Sequence, residues 1–301
     1  MVELSVVMSV YNGEELLAAT LDSVLTQSFR NFELIAIDDG STDSTPAILR
    51  QYAAKDARIR VFSQQNTGLT RALIRGCREA RGDLIARQDC GDRSLPDRFE
   101  KQIALINRGH VLVSCATRFV GPQGEELYIG RGDGDAIRRS LLTDPLGRIR
   151  GINGHGSAMF RKRAYNEAGG YRAEFCAAQD IDLWIRLATL GTIAVADDVL
   201  YEVTMEVGGL TGRAREAQTE CVRLAVQIRD APPEQQAGLL EQAGRVVARR
   251  RATRRDVANA NYFLASCLVK RRDPRWMRYA WSAVRMNPLH WRAWARLVRR
   301  R

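Results

Sequence analysis

The first hundred residues alternate short apolar runs with segments of helical periodicity, and this alternation limits the fold more than any other feature. Apolar runs at 4–10, 32–38, 59–64 and 82–89 predict four buried strands. Between them, three- and four-residue spacing of apolar side chains predicts helices at about 13–28, from 45, and at 68–80. Such alternation is typical of a parallel sheet with crossover helices. We therefore expect an α/β fold with a mostly parallel sheet.

The rest of the chain follows this pattern less regularly. A helix is predicted at about 95–108 and a strand at 110–120, followed by a glycine-rich, irregular stretch to about 152. A short strand at 156–161, a helix from Asp180 to about Leu190 and a pair of strands across 192–204 come next. After Gly208 and Gly209 the sequence is helical to its end. We predict a first unit at 1–209, in halves 1–110 and 111–209, and a helical extension at 210–301.

Polar residues cluster where three of the predicted strands end. Open parallel sheets bind ligands at the carboxyl ends of their strands, so these side chains are candidates for a binding site. An aromatic ring with several carboxylates suits a nucleotide sugar, because the ring can stack on the base and the acids can accept hydrogen bonds or hold a divalent ion. The alternative is that these residues only form turns and helix caps. The clusters are Ser9, Tyr11 and Asn12; Asp38 and Asp39; and Asp89 and Asp92.

Two common nucleotide motifs are absent from the sequence. No G-x-G-x-x-G follows either of the first two strands, and no G-x-x-x-x-G-K-[ST] occurs anywhere. Dinucleotide-binding and P-loop folds are therefore disfavoured.

Several separated segments resemble one known family in the same order. SVVMSVYNGEELLAATLDSVLTQSFRNFELIAIDDGSTDSTPAIL, NTGLTRAL, ARQDCGDRSLPDRFEKQ and NGHGSAMFRKRAYNEAGGYRAEFCAAQDIDLWIRLATLG are similar to segments of family 2 glycosyltransferases. The resemblance implies a GT-A nucleotide-diphospho-sugar transferase fold, with a nucleotide-binding half at 1–110 and an acceptor half at 111–209. It implies an inverting, hexosyltransferase-like enzyme of bacterial envelope polysaccharide or glycolipid synthesis.

The resemblance also implies roles for individual residues on the donor side. Ser9, Tyr11 and Asp39 match positions that hold the nucleoside, and Arg71 matches a basic residue near the nucleotide. Asp89 begins the segment where the family usually has Asp-x-Asp.

The third position of that segment departs from the family pattern, because Gly91 stands where a metal-binding carboxylate is usual. We expect Mn²⁺ or Mg²⁺ to be held by Asp92 together with Asp89. Two alternatives stay open. The ion could be held mainly by substrate phosphates, or the enzyme could work without metal, with Arg71 and His155 neutralising the leaving group.

On the acceptor side, Asp180 matches the family's catalytic base, and Gln179 replaces the usual preceding Glu. Capping of the following helix is the alternative role for Asp180, and Asp182 is expected to point elsewhere. His155 matches a polar position near the diphosphate or acceptor. Gly170 is expected to lie in a turn lining the acceptor pocket, and Trp184 to pack on the sheet or to shape that pocket.

The resemblance implies a UDP- or dTDP-linked donor and, as acceptor, a saccharide or lipid-linked saccharide. A non-catalytic relative that binds a nucleotide sugar or a partner is the alternative, suggested by Gly91 and Gln179. No apolar run approaches the roughly 18 residues of a spanning helix, and no basic leader precedes the first strand. These features favour a cytoplasmic protein, with a peripheral position on the inner membrane face as an option.

The end of the chain is strongly basic. Residues 241–301 hold 17 Lys and Arg against 3 acids, a charge of +14, while the rest of the chain is at −3. The last predicted helix places Trp291, Trp294 and Val298 on one face, with Arg292, Arg296, Arg299 and Arg300 around them. Binding to an anionic membrane surface and packing of this stripe onto the first unit are both open. Nucleic acid, which the arginines at 249–251 would suit, is disfavoured because nothing resembles a base-reading module.

Overall fold

The predicted alternation forms the centre of the fold in the computed structural model, which describes residues 2–207, 215–247 and 252–298. The apolar runs become strands because both faces of the sheet are covered by helices, and the runs at 4–10 and 32–38 are buried almost throughout. The run at 59–63, at the edge of the sheet, is only partly buried. In chain order the elements are β1 (Leu4–Val10), α1 (Leu17–Leu25), β2 (Phe32–Asp38), α2 (Thr45–Lys55), β3 (Ile59–Ser63), α3 (Leu69–Glu79) and β4 (Leu84–Asp89).

The second half of the sheet is mixed in direction. Its elements are β5 (Arg93–Ser94), α4 (Arg98–Asn107), β6 (Leu112–Val120), β7 (Glu126–Gly130), α5 (Gly134–Thr143), a short 3-10 helix (His155–Ser157), β8 (Met159–Arg161), α6 (Lys162–Glu167), α7 (Gln179–Leu190) and β9 (Ile193–Thr204). The strand order is β3-β2-β1-β4-β8-β6-β9-β5, with β7 beside β6. Strands β1 to β4 are mutually parallel, and β8 runs antiparallel to both β4 and β6.

Alternate residues of β1 enter two separate cores. Val6 and Met8 pack with α1 and α4 on one face, whereas Val7 packs with α3 on the other. The second core continues through Phe160 and Trp184 of β8 and α7. Both cores are therefore built on the same sheet, which fixes where its strand ends lie.

Three local predictions differ from the structure. Helix α1 begins at Leu17 rather than near 13, and residues 14–16 form a turn before it, while the backbone N–H of Gly13 donates to Thr45 Oγ1 at 2.9 Å. The stretch expected to be irregular contains β7 and α5, the latter capped by Asp133, which accepts from Ala136 N at 2.8 Å. The predicted pair of strands across 192–204 is one strand, β9, whose register against β6 shifts where 197–198 bulge outward.

The carboxy-terminal part contains five described helices: α8 (Arg215–Asp230), α9 (Pro233–Gly244), α10 (Arg254–Lys270), α11 (Trp276–Met286) and α12 (Trp291–Val298). Helix α8 buries Leu224 and Ile228 in the core that holds Trp184. Helices α10 and α11 instead pack around Leu127 of β7. The two ends of this part thus contact different regions of the sheet.

The predicted division of the chain stays a prediction, because its Gly208–Gly209 break lies outside the described residues, as do the arginines at 249–251 and Arg299 and Arg300. Packing of the last apolar stripe onto the first unit is wrong. Trp291 and Val298 are 71% and 74% exposed, and α12 buries Ala293 against α11 instead. No helix in the described part of the chain is long and apolar enough to cross a membrane.

Candidate active site

The three polar clusters lie along one edge of the sheet, as the sequence predicts. Strand β1 runs between β2 and β4, and Ser9 is opposite Ile37 on one side and Asp89 on the other. Val10 is opposite Asp38 in the next pair. The carboxyl ends of β1, β2 and β4 therefore form a continuous rim.

Asp39 orders the loop that leads into α3. Its Oδ1 accepts from Gln64 Nε2 at 2.7 Å and from Thr67 N at 3.0 Å, and its Oδ2 accepts from Gly68 N at 2.8 Å. Since a carboxylate oxygen can accept two hydrogen bonds, Oδ2 keeps capacity for a ligand. Asp39 thus both shapes this loop and offers one acceptor.

The other predicted nucleoside residues lie around the same rim. Tyr11 follows β1 with its side chain 52% exposed, and Ser9 is half-buried. Arg71 lies in the first turn of α3 and is exposed, with no ion pair to the described residues. An exposed ring and an exposed cation are both accessible to a bound nucleotide.

The sequence did not point to Arg87, which is fully buried in β4 and joins several parts of the site. Its Nη2 donates to Asp89 Oδ1 at 2.6 Å, its Nε donates to His155 Nε2 at 3.4 Å, and its Nη1 donates to the Val7 carbonyl. The available signal was a basic residue inside an otherwise apolar strand. A buried cation needs partners, and here they are site residues.

Arg98 is a second buried arginine that sequence reasoning missed. Its Nη2 donates to the Arg87 carbonyl at 2.9 Å and to the Gly156 carbonyl at 2.8 Å, and its guanidinium lies 4.7 Å from the ring centre of Tyr201. Arg98 thus fixes the loop that carries His155 against β4.

His155 is covered by aromatic rings. Its Nε2 is 2.7 Å from the Tyr171 hydroxyl, and its ring packs edge-on against Tyr171 and Trp184 at 5.7 and 5.9 Å. Burial, and then the positive charge of Arg87, lower the pKa of His155 to about 4. At neutral pH its imidazole therefore carries no positive charge to offset a leaving group.

Asp89 and Asp92 differ in accessibility. The Asp89 side chain is 33% exposed, whereas Asp92 is 8% exposed and its Oδ1 accepts from Thr204 N at 3.2 Å. Burial, and then the negative charge of Asp89, raise the pKa of Asp92 well above its usual value. Asp89 is thus the carboxylate that faces the rim, while Asp92 is turned toward β9.

The backbone explains why the third position of this segment has no carboxylate. Gly91 has φ of +98°, and a Cβ there would lie 3.1 Å from Leu16 Cδ1. A side chain is strained in this conformation. The glycine at position 91 therefore suits the backbone conformation of this loop, which a carboxylate-bearing residue would strain.

Asp180 and Asp182 have different surroundings on α7. Asp182 is buried and ion-paired with Arg172 at 3.0 Å and Arg186 at 2.5 Å. Asp180 is half-buried, and among the described residues its Oδ1 accepts from the adjacent Ile181 N alone, at 2.9 Å. The residue at the cap position is Ala178, so Asp180 is not the helix cap.

Asp180 also lies near the centre of the site. Its negative charge, like that of Asp89, acts to raise the pKa of His155, opposing burial and Arg87. The two carboxylates therefore act on one imidazole, although they come from opposite halves of the first unit.

The two remaining predicted acceptor residues are packed. Trp184 is fully buried and lies edge-on to Phe160 at 5.9 Å, which favours its packing role. Gly170 has φ of +68° in a turn, as expected, and a Cβ there would meet the Tyr165 ring at 2.9 Å. Trp184 thus packs beside His155, and Gly170 gives the turn room for the Tyr165 ring.

The fit of a divalent cation is partial. No group of three His, Cys, Asp or Glu suited to a metal ion occurs within 2–207, 215–247 or 252–298. Mg²⁺ sites commonly use one or two carboxylates together with substrate phosphates. Asp89 suits that arrangement as it stands, whereas Asp92 would have to turn from Thr204.

Comparisons with known proteins identify the family. The model of the family described as glycosyl transferase family 2 matches residues 5–169. EpsE of Bacillus subtilis (strain 168), named as a glycosyltransferase, is 36% identical over 189 residues, which are 61% of this chain and 66% of EpsE. RT0329 of Rickettsia typhi, also named as a glycosyltransferase, is 24% identical over 66% of this chain and 62% of its own length. The chain thus spans less than two thirds of RT0329 and 66% of EpsE.

Solved structures share the fold at low identity. Residues 1–349 of TarS from S. aureus, in complex with UDP, are 18% identical, with a TM-score of 0.56 over 95% of this chain and 81% of that chain. The mannosyltransferase PcManGT from Pyrobaculum calidifontis, in complex with GDP-Man and Mn²⁺, is 20% identical, with a TM-score of 0.59 over 90% and 75%. At these identities the likeness establishes the fold, a GT-A sandwich with helices at its carboxy terminus.

Proposed function

The chain belongs to glycosyl transferase family 2, and on that premise we propose that it transfers a sugar from a nucleotide-diphosphate sugar to a hydroxyl acceptor, with inversion. One observation carries the proposal. Arg87 links Asp89 at the donor rim to His155, at 2.6 and 3.4 Å. Helix α7, which carries Asp180 in its first turn, packs Trp184 against the same imidazole at 5.9 Å, so the elements of a donor-side and an acceptor-side carboxylate meet at one centre.

The donor is held at the rim of β1, β2 and β4. Tyr11 stacks on the base, Asp39 accepts from the nucleoside through Oδ2, and Arg71 offers a positive charge to the diphosphate. TarS was solved with UDP and UDP-GlcNAc, and PcManGT with GDP-Man, which supports a nucleotide-sugar donor. We propose UDP or dTDP as the nucleotide.

A divalent cation would be held by Asp89 and the diphosphate oxygens, with Asp92 as a further ligand if its side chain turns. When bound, the ion offsets the charge that develops on the departing diphosphate. Mn²⁺ in the PcManGT complex supports this assignment.

Asp180 takes the proton from the attacking hydroxyl. The hydroxyl oxygen bonds to the sugar carbon as the bond from that carbon to the diphosphate oxygen breaks, and attack opposite the leaving group inverts the centre. Gln179 is neutral, so no second carboxylate directly precedes Asp180 in the chain.

The acceptor is a saccharide or a lipid-linked saccharide of a cell-surface polysaccharide or glycolipid. We propose that the reaction takes place in the cytoplasm, at the inner face of the membrane when the acceptor is lipid-linked. The strongly basic end of the chain supports this location.

Nucleotide binding tests the donor site. UDP, dTDP and GDP are titrated calorimetrically into the protein with and without Mn²⁺, on the wild type, Asp89→Asn and Asp92→Asn. We expect one nucleotide to bind more tightly with Mn²⁺ and Asp89→Asn to remove that gain. If no nucleotide binds under any condition, the donor assignment is wrong.

Paired variants on α7 test the base. Asp180→Asn should lower turnover by about 10²- to 10⁴-fold while nucleotide affinity and the free energy of unfolding stay the same. Asp182→Asn should instead lower the free energy of unfolding, because it breaks two ion pairs of a buried carboxylate, and should leave turnover per folded molecule the same. Equal turnover per folded molecule for Asp180→Asn and the wild type would refute the role of Asp180. Absence of turnover by the wild type with every donor would favour the non-catalytic alternative.

A further inference from the structure

Helices α11 and α12 leave an unusual set of side chains exposed. We call it the aromatic-basic face. Its apolar members are Trp281, Leu289, Trp291, Trp294 and Val298, exposed by 53, 88, 71, 41 and 74%. Large apolar side chains grouped on a surface commonly mark an interaction site.

Packing between the two helices joins these residues into one surface. The rings of Trp281 and Trp294 are in edge-on contact at 5.8 Å, and Trp294 Nε1 donates to the Pro288 carbonyl at 2.8 Å. Trp291 and Val298 lie one turn to either side of Trp294 along α12, so they share its face. Leu289 is in the turn between the helices.

The same surface is surrounded by positive charge. Arg285 lies one turn after Trp281 and is exposed, and the guanidinium of Arg292 lies 5.4 Å from the ring centre of Trp291. Residues 252–298 carry 10 Lys and Arg against 2 acids, and no acidic residue follows Asp273. The only two acids, Asp256 and Asp273, both lie N-terminal to the face.

These observations favour an anionic bilayer over nucleic acid or a second copy of the chain as the partner of this face. Exposed aliphatic side chains such as Leu289 and Val298 gain from hydrocarbon but not from a phosphate backbone, which argues against nucleic acid. A second copy of this face would bring like charges together. An anionic bilayer accommodates both features, because Trp rings partition to the interface and arginines meet the head groups.

We propose that the aromatic-basic face docks the protein on an anionic lipid surface. Trp281, Trp291 and Leu289 enter the head-group region, and Arg285 and Arg292 contact lipid phosphates. This docking rests on the membrane location proposed above, and the residues of the aromatic-basic face would produce that location.

Sedimentation with vesicles tests the surface in the absence of donor and acceptor. The full chain should bind phosphatidylcholine vesicles that contain phosphatidylglycerol, should bind pure phosphatidylcholine far more weakly, and should be released by salt. Arg285→Glu with Arg292→Glu should weaken binding by roughly tenfold or more. Leu289→Ser with Trp291→Ser should weaken it by roughly tenfold through lost apolar burial.

Matched substitutions elsewhere control for charge and hydrophobicity. Arg139 on α5 and Leu146 are exposed residues remote in sequence from the face, so Arg139→Glu and Leu146→Ser should leave vesicle binding unchanged. Equal weakening by these controls, absence of binding to anionic vesicles, or tighter binding to duplex DNA would overturn the proposal. So would concentration-dependent self-association that Trp291→Ser abolishes.

Failure here and failure of the proposed transferase activity are separable. Lipid binding is measured without any nucleotide, and turnover on a soluble acceptor is measured without vesicles. A protein that turns over donor but ignores anionic vesicles refutes only the docking surface.

Discussion

Removing one oxygen atom from Tyr201 tests the hydrogen-bond arrangement beneath the site. Tyr201 is fully buried on β9, and its hydroxyl accepts from Asp89 N at 3.1 Å and from Gln88 Nε2 at 3.3 Å. It also hydrogen-bonds the Asp92 carboxylate. In Tyr201→Phe the buried Asp89 N–H loses this acceptor and the carboxylate loses its donor.

The expected loss follows from those two consequences. A hydrogen bond contributes about 0.5–1.5 kcal/mol net, and an unsatisfied buried donor costs about 1–3 kcal/mol. Because the two share one hydroxyl, they are not additive, and we expect Tyr201→Phe to lower the free energy of unfolding by about 2 kcal/mol.

Denaturant unfolding at neutral pH, followed by tryptophan fluorescence, measures this loss. Tyr128→Phe is the matched control, because Tyr128 is 36% exposed and its hydroxyl has no hydrogen bond to any described residue. The control should change the free energy of unfolding by no more than about 0.5 kcal/mol. A loss below about 1 kcal/mol for Tyr201→Phe, or one equal to the control, would refute the arrangement.

Substitutions at three further residues test other parts of the site. His155 has a pKa near 4 in the fold against about 6.5 unfolded, so the unfolded chain binds more protons between these values and stability falls with falling pH. Urea unfolding at several pH values from 7 to 4 measures this dependence of the free energy of unfolding on pH. His155→Gln should reduce its slope by up to about 1.4 kcal/mol per pH unit. Identical slopes for the variant and the wild type would contradict this. Gly91→Asp and Gly91→Ala should both lower stability by about 1–3 kcal/mol, from the strain at positive φ, and calorimetry should show no gain in Mn²⁺ affinity for Gly91→Asp. Arg98→Met should lower the free energy of unfolding by at least about 3 kcal/mol, since the Arg87 and Gly156 carbonyls lose a buried donor; a loss under about 1 kcal/mol would exclude this role.

The first half of the fold was predictable because its strands are buried on both faces. Such strands appear in the sequence as uninterrupted apolar runs, and β1 and β2 agree with their predicted limits. Parallel order then brings their carboxyl ends together, so the rim with Ser9, Asp39 and Asp89 follows from the pattern. Strand β9 was harder to predict, because a bulge of two aspartates interrupts its apolar alternation. In the sequence these two residues look like a turn between two strands.

The centre of the site was less predictable because it depends on contacts between distant segments. Arg87 and His155 are 68 positions apart, and their link depends on the turn that places Tyr171 against the imidazole. Single-sequence periodicity carries no information about such pairing. The sequence therefore identified His155 as a candidate but not its neutral state, which comes from burial and Arg87.

Helix α11 can hold the basic end of the chain on the sheet and still leave side chains for a membrane surface, because a helix has more than one face. Helix α11 buries Tyr279 and Ala280, and the Tyr279 hydroxyl donates to Glu125 at 2.7 Å, which holds this helix on the hairpin of β6 and β7. Trp276, Val284 and Leu297 also take part in this packing. Trp281, Trp291 and Trp294 are left exposed and, with the arginines near them, remain available for an external surface. That distribution favours docking over packing as the role of the aromatic-basic face.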